Sequence, residues 1–177
     1  MEDRGLPPAR ILLLTKPLGA PPFRPVFAKG GPVDAVKRDY PDRPIVGVGA
    51  VIVCDGRVAL VRRLAEPRKG EWSIPGGVLE LGETLRQGVA REALEETGLT
   101  VEAGEVLDVF DSIFPDPEGK TRFHYVLIDY LCRPVSGELR GGGDAAEARW
   151  ASMEEAAALV ANPATVALIR KGLGRYS

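Results

Sequence analysis

The apolar positions follow two periods. Ile45 to Val53 is a near-continuous run of valine, isoleucine, alanine and glycine, the pattern of a buried strand. Val58 to Arg63 returns as a second strand across Asp55-Gly56, a hairpin signal. A charged loop with Glu66, Pro67, Arg68, Lys69 and Gly70 follows, then the short apolar piece Trp72 to Ile74 and the breaker Pro75-Gly76-Gly77. From Thr84 to Thr97 the period becomes helical. Thr84 with Gln87 forms a capping box, and Gly98 stands where a C-terminal cap glycine belongs. Val101 to Phe114 and Thr121 to Cys132 predict strands joined by the turn Pro115 to Gly119. After Gly141-Gly142-Gly143 come a short strand, Ala148 to Ala151, a helix capped by Ser152 and Glu155 reaching about Ala161, and a last helix from Asn162-Pro163 through Lys171. Strands mixed with helices behind a leading hairpin predict a mixed α/β or α+β sandwich.

Proline sets the front boundary. Nine of the fifteen prolines lie in residues 1–44, a density that cannot sustain a helix or central strand. Residues 1–40 are therefore expected to be an extended, poorly ordered or partner-packed leader, and residues 41–177 the folded domain. Ile11 to Leu14 is a candidate for one short docked strand, and is too short for a signal sequence or membrane span. A chain of 177 residues with 45% hydrophobic content suits one soluble domain. The net charge of −2 supplies no field to attract nucleic acid or an anionic membrane, so a phosphate-rich substrate has to be held by local cations or metal. Cys54 and Cys132 form no CxxC pair and read as reduced thiols of a cytoplasmic protein.

At about 100° per residue, Leu85, Val89, Ala90, Ala93 and Leu94 fall on one apolar side of the helix. Glu92, Glu95 and Glu96 stand at i, i+3 and i+4 on an adjoining arc, where like charges repel. A cation offsets that repulsion, and oxygen-only ligands with no histidine or cysteine nearby select Mg²⁺ or Mn²⁺. Gly88 lies on the same acidic side and costs about 1 kcal/mol against alanine, which points to clearance for backbone or substrate. Alone, three glutamates and Arg91 would read as a solvated helix face.

The wider spacing changes that judgement. From Gly77 the chain reads five residues, Glu83, seven residues, then Arg91-Glu92-Ala93-Leu94-Glu95-Glu96-Thr97-Gly98-Leu99. These 23 residues resemble the Nudix box, with all seven polar or glycine positions matched. A chance match at one start is on the order of one in 10⁸. Only Ala93 departs, being smaller than the family's usual aliphatic residue. The resemblance implies an α/β/α sandwich with a mixed sheet, in which this loop and helix present metal to a diphosphate. By matching position it implies Glu92 and Glu96 as the main Mg²⁺ ligands, Glu95 as a further ligand or proton acceptor, and the Gly76-Gly77 backbone, with Gly77 as a carbonyl ligand. Glu83 and Arg91, eight residues apart, are expected to brace the loop on the helix as an ion pair, with Gly98 completing the scaffold.

A nucleophilic water needs a proton acceptor, which the family draws from the helix or from a later loop. The candidates are Glu95 and Glu92 on the helix, and Asp144 and Glu147 in the later loop, with Asp116 and Glu118 weaker. Arg62 and Arg63 are candidates for phosphate, as are Arg68 and Lys69, and Trp72 is a candidate for stacking on a base. Phe114, Phe123, Tyr125 and Trp150 are further candidates for that stacking, all five aromatic residues reading more readily as core, and His124 reads as structural. Tyr40-Pro41-Asp42-Arg43-Pro44-Ile45-Val46-Gly47 ahead of the box, and Pro115 after it, look like the ADP-ribose pyrophosphatase branch, in which homodimers are common. The expected activity is Mg²⁺-dependent hydrolysis of a nucleoside diphosphate linked to another group, ADP-ribose-like. The alternatives are a pool-sanitising (d)NTP pyrophosphohydrolase and a non-catalytic nucleotide sensor.

Overall fold

The computed structural model describes residues 37–175. Residues 1–36, including the candidate strand Ile11 to Leu14, lie outside the described residues. Along the chain run β1 (Ile45–Cys54), β2 (Arg57–Arg63), β3 (Trp72–Ser73), β4 (Gly76–Val78), α1 (Leu85–Thr97), β5 (Leu99–Pro115), β6 (Thr121–Gly137), β7 (Ala145–Ala151), α2 (Met153–Leu159) and α3 (Pro163–Leu173).

β1 is central because it is apolar on both faces. Val48, Ala50 and Ile52 pack with Val89 and Ala93 of α1, whereas Val51 and Val53 pack with Ala156, Val160, Leu168 and Ile169 on the α2–α3 side. Successive side chains of a strand point to opposite faces, so this one run supplies both halves of the core. The result is a mixed sheet between helical layers, as the sequence predicts.

The strand order is β3-β2-β1-β6-β5, with β4 also on β1 and β7 also on β2. β1 runs parallel to β6, from Ile45 opposite Tyr125 to Ile52 opposite Cys132. β4 lies antiparallel to its first half, with Val48 opposite Gly77 and Gly49 opposite Gly76. β5 and β6 form a hairpin longer than the apolar pattern predicts, because pairing continues through polar positions as far as Leu99 opposite Gly137. β7 likewise begins at Ala145 rather than Ala148, pairing along β2.

The buried arc of α1 departs from the expected apolar side. Leu94 is 50% exposed, whereas Glu96 is 5% exposed and Thr97 is fully buried. Leu94 is about 140° around the helix from Val89, and Glu96 only about 20°. The face toward the sheet is thus rotated into the acidic side, which carries a carboxylate inside.

Ahead of β1, the chain is strapped to the β5–β6 turn. The Tyr40 N–H donates to the Arg122 carbonyl at 2.8 Å, and the Tyr40 hydroxyl donates to Asp116 at 2.9 Å. Arg122 pairs with Asp39 at 2.8 Å. No helix among the described residues is long and apolar enough to cross a membrane.

Candidate active site

Local sequence fixes α1 at both ends. Thr84 accepts the Gln87 N–H while the Gln87 side chain accepts the Thr84 N–H at 2.8 Å, and Gly98 adopts φ 70°, a left-handed value that favours glycine. The loop before the helix is tied down by charge. Arg91 donates to both oxygens of Glu83, at 2.7 and 3.1 Å, and to the Val78 carbonyl at 3.0 Å. The pair expected from the spacing is therefore a bidentate fork. Burial opposes the Glu83 charge, but Arg91 and the Glu80 N–H together outweigh it and hold the carboxyl below its ordinary range.

Gly88 has its reason in this loop. A β-carbon there would lie 2.8 Å from Glu83 Oε1 and 2.9 Å from Leu79 Cδ1. The clearance serves two loop side chains rather than backbone or substrate.

The acidic side and the glycine breaker meet. The Gly76 N–H donates to Glu96 Oε2 at 2.9 Å, and a β-carbon at Gly77 would collide with the Glu92 carboxylate. A cavity of about 40 Å³ opens beside them, lined by Gly76, Gly77, Glu92, Glu96, Asp144, Ala65, Arg38 and Arg63. Burial raises the Glu92 carboxyl, and it raises Glu96 to about 7, with the neighbouring Glu92 and Asp144 charges adding. Glu95 is different. Its side chain is 53% exposed and is drawn toward Arg91 at 3.3 Å, outside the cavity.

These donors fit a hard divalent cation in kind: carboxylates, a glycine backbone that leaves no room for a side chain, and no nitrogen or sulfur ligand. Glu92 is engaged by Arg91 at 2.7 Å. Among the described residues no three carboxylate, histidine or cysteine side chains stand close enough together to form a finished cage.

The remaining candidates separate. Asp144 lines the cavity; Glu147 does not, because Arg62 holds it at 3.0 Å. Arg63 lines the cavity, whereas its neighbour Arg62 is opposite Trp72 in the β2–β3 register. Trp72 packs on the core cluster of Val51, Leu60 and Leu168, so neither Arg62 nor Trp72 faces the site.

A larger cleft of about 150 Å³ adjoins the acidic cavity on the α3 side of the sheet. Arg38, Arg63, Gly76 and Gly77 line both spaces. Phe110, Phe114, Tyr125, Leu127 and Ile74 wall the cleft, and Asp129 lies in it. Sequence reasoning missed Arg38, which falls in the proline-rich leader, and Asp129, whose only signal was a charge inside an apolar strand.

A family model of the NUDIX domain matches residues 43–171. The chain belongs to the Nudix family. One relative of this Nudix domain is an ADP-ribose pyrophosphatase from Methanocaldococcus jannaschii, 38% identical over 107 residues, or 60% of this chain and 61% of that one. The match thus spans less than two thirds of that relative. A MutT-like protein from Streptomyces ambofaciens is 34% identical over 121 residues, 68% of this chain and 71% of that one. The crystal structure of a MutT NUDIX hydrolase from Burkholderia pseudomallei superposes with a TM-score of 0.61 at 32% identity, covering 73% of this chain and 98% of that one.

Asp129 is expected to make the stability of this Nudix domain depend on pH. Burial, with Asp108 adding, raises its carboxyl from 3.8 to about 7. Between those values the folded state keeps a proton that the unfolded chain releases, so stability falls as pH climbs through that window. Each pH unit within the window is worth about 1.4 kcal/mol, which makes the effect a few kcal/mol. Asp129→Asn has no such proton to lose. Urea unfolding is expected to show the stability of the variant relative to the wild type rising by at least about 1 kcal/mol between pH 5 and pH 8. A difference that stays constant between the two pH values contradicts the assignment.

Proposed function

We propose that the protein is a Mg²⁺-dependent pyrophosphohydrolase that cleaves a nucleoside diphosphate linked to a further group, with ADP-ribose-like substrates favoured and Mn²⁺ able to replace Mg²⁺. The observation that carries this reading is the junction at Gly76-Gly77. An acidic, oxygen-lined cavity opens there directly beside a cleft with aromatic walls, and two arginines border both. A diphosphate lying across the junction puts its phosphates at the acidic cavity and its nucleoside in the cleft. The similarity to an ADP-ribose pyrophosphatase supports the substrate class.

Bound divalent cations supply neutralisation of the phosphate oxygens and a more acidic attacking water. Glu92, Glu96 and the Gly77 backbone are the residues to hold them, with Glu95 able to join once released by Arg91. Arg38 and Arg63 bind phosphate oxygens and orient the diphosphate. Asp144 accepts the proton of the attacking water, since it lines the acidic cavity and Glu147 is occupied elsewhere. Glu83 and Arg91 hold the loop against the helix and touch no substrate.

The similarity to a MutT-like protein favours a second reading, release of pyrophosphate from a (d)NTP. Incubating the purified protein and Mg²⁺ with ADP-ribose, other nucleoside diphosphate derivatives and the (d)NTPs, with product analysis, separates the two. The first reading expects AMP and ribose 5-phosphate from ADP-ribose. Indifference to ADP-ribose with turnover of a (d)NTP transfers the assignment to the second.

A further inference from the structure

Asp129 is a charged side chain without a task in the mechanism above. It is 4% exposed, on a strand whose neighbours Tyr130, Leu131 and Cys132 are core. Neither carboxylate oxygen has a hydrogen bond or ion pair to any described residue, and the groups acting on it are burial and Asp108, itself negative. Yet neither oxygen is sealed away as an enclosed, unpaired polar atom. Both conditions hold because the side chain opens into the cleft that it lines.

The surroundings of Asp129 are shaped for a flat group. Gly49 is its neighbour on β1, and a β-carbon there would collide with Asp129 Oδ1. A β-carbon at Gly47 would lie 2.6 Å from Leu127 Cδ2. The two glycines let the β6 side chains lie low over β1, leaving a shallow floor beside the aromatic residues Phe110, Phe114 and Tyr125 of the neighbouring strands. A buried carboxyl with no protein partner is costly, and a ligand that donates a hydrogen bond removes that cost. Either ionic form of the acid keeps a lone pair for an N–H donor. Burial also brings the group to about 7, so the neutral acid is available at little cost near neutral pH.

We infer that Asp129 is a specificity-determining residue that accepts a hydrogen bond from the exocyclic amino group of an adenine ring seated in the cleft. This deepens the reading above and rests on the cleft taking the nucleoside half of the substrate. The diphosphate end is held separately, by Arg38 and Arg63 at the junction. Asp129 therefore selects the base without touching the reacting atoms.

The test uses product binding, which needs no turnover. Calorimetric titration of the full chain with AMP and with purine riboside 5′-monophosphate, which lacks only the amino group, measures what that group contributes. The wild-type protein is expected to prefer AMP by on the order of tenfold, as for a buried acceptor left unpaired by the analogue. In Asp129→Leu, similar in shape but without an acceptor, the preference is expected to collapse to within about twofold. Asp129→Asn keeps an oxygen acceptor and is expected to retain most of it, guarding against loss of folding as the explanation. Equal wild-type binding of the two nucleotides overturns the inference, as does a preference that survives Asp129→Leu. Equal weakening of both nucleotides in Asp129→Leu also overturns it, because the residue then senses the sugar or shapes the cleft. If ADP-ribose is not hydrolysed while the amino preference stands, the proposed substrate fails and the assignment of Asp129 remains.

Discussion

Replacing Glu96 by glutamine is expected to lower turnover by at least about 100-fold while leaving the fold intact. Glu96 is the most buried carboxylate of the helix and faces the acidic cavity, where it accepts the Gly76 N–H at 2.9 Å. Glutamine keeps an oxygen for that hydrogen bond and is nearly as good a helix former. What it removes is one negative charge, and a hard cation is bound chiefly by charge. Metal affinity should fall together with turnover, so raising Mg²⁺ should restore part of the activity. Circular dichroism and the melting temperature check the fold. A folded Glu96→Gln protein with wild-type turnover would refute the metal assignment.

Arg91→Ala is expected to destabilise the metal-free protein by about 3 kcal/mol, or roughly 10 °C in Tm. Arg91 is 22% exposed, and its partners Glu83 and Glu92 are 14% and 13% exposed. Surface ion pairs contribute little, but losing the partner of a buried charge leaves that charge without compensation. Here one guanidinium serves both carboxylates, approaches Glu95 and closes the loop through the Val78 carbonyl. Mg²⁺ should narrow the gap, because a cation beside Glu92 takes over part of the neutralisation. Arg91→Lys should fall between, since lysine keeps the charge and loses the fork. The comparison is thermal melting of the three proteins with and without MgCl₂. Unchanged melting of Arg91→Ala in metal-free buffer would show that the network is decorative.

The helix and its caps were legible because their signals are local. Thr84, Gln87 and Gly98 act on backbone within one turn, and Glu83 reaches Arg91 across about two. The apolar side was less legible. Leu94 reads as core by type and lies outside, whereas Glu96 reads as surface and lies inside, because the sheet and the glycine loop decide which arc of α1 is covered. The residues lining the cavities were hard to read for a related reason. Arg62 and Trp72 are close to the box in sequence, but strand pairing directs them toward Glu147 and the core. Arg38 is far from the box and is brought to the site by Asp39 and Tyr40, which are anchored on the β5–β6 turn.

By itself, then, the order of residues determined the hairpin, the box helix and the family, and it raised the expectation of a hard cation beside the helix. These follow from short-range spacing and from backbone preferences. Tertiary structure alone decided that Asp144 and not Glu147 shares the cavity with Glu96, that Gly77 is a glycine for the sake of Glu92, and that Asp129, unpaired among the described residues, opens into the cleft. Each depends on strands, helix and loop being packed side by side, where burial and proximity give a carboxylate a meaning that its place in the sequence does not carry.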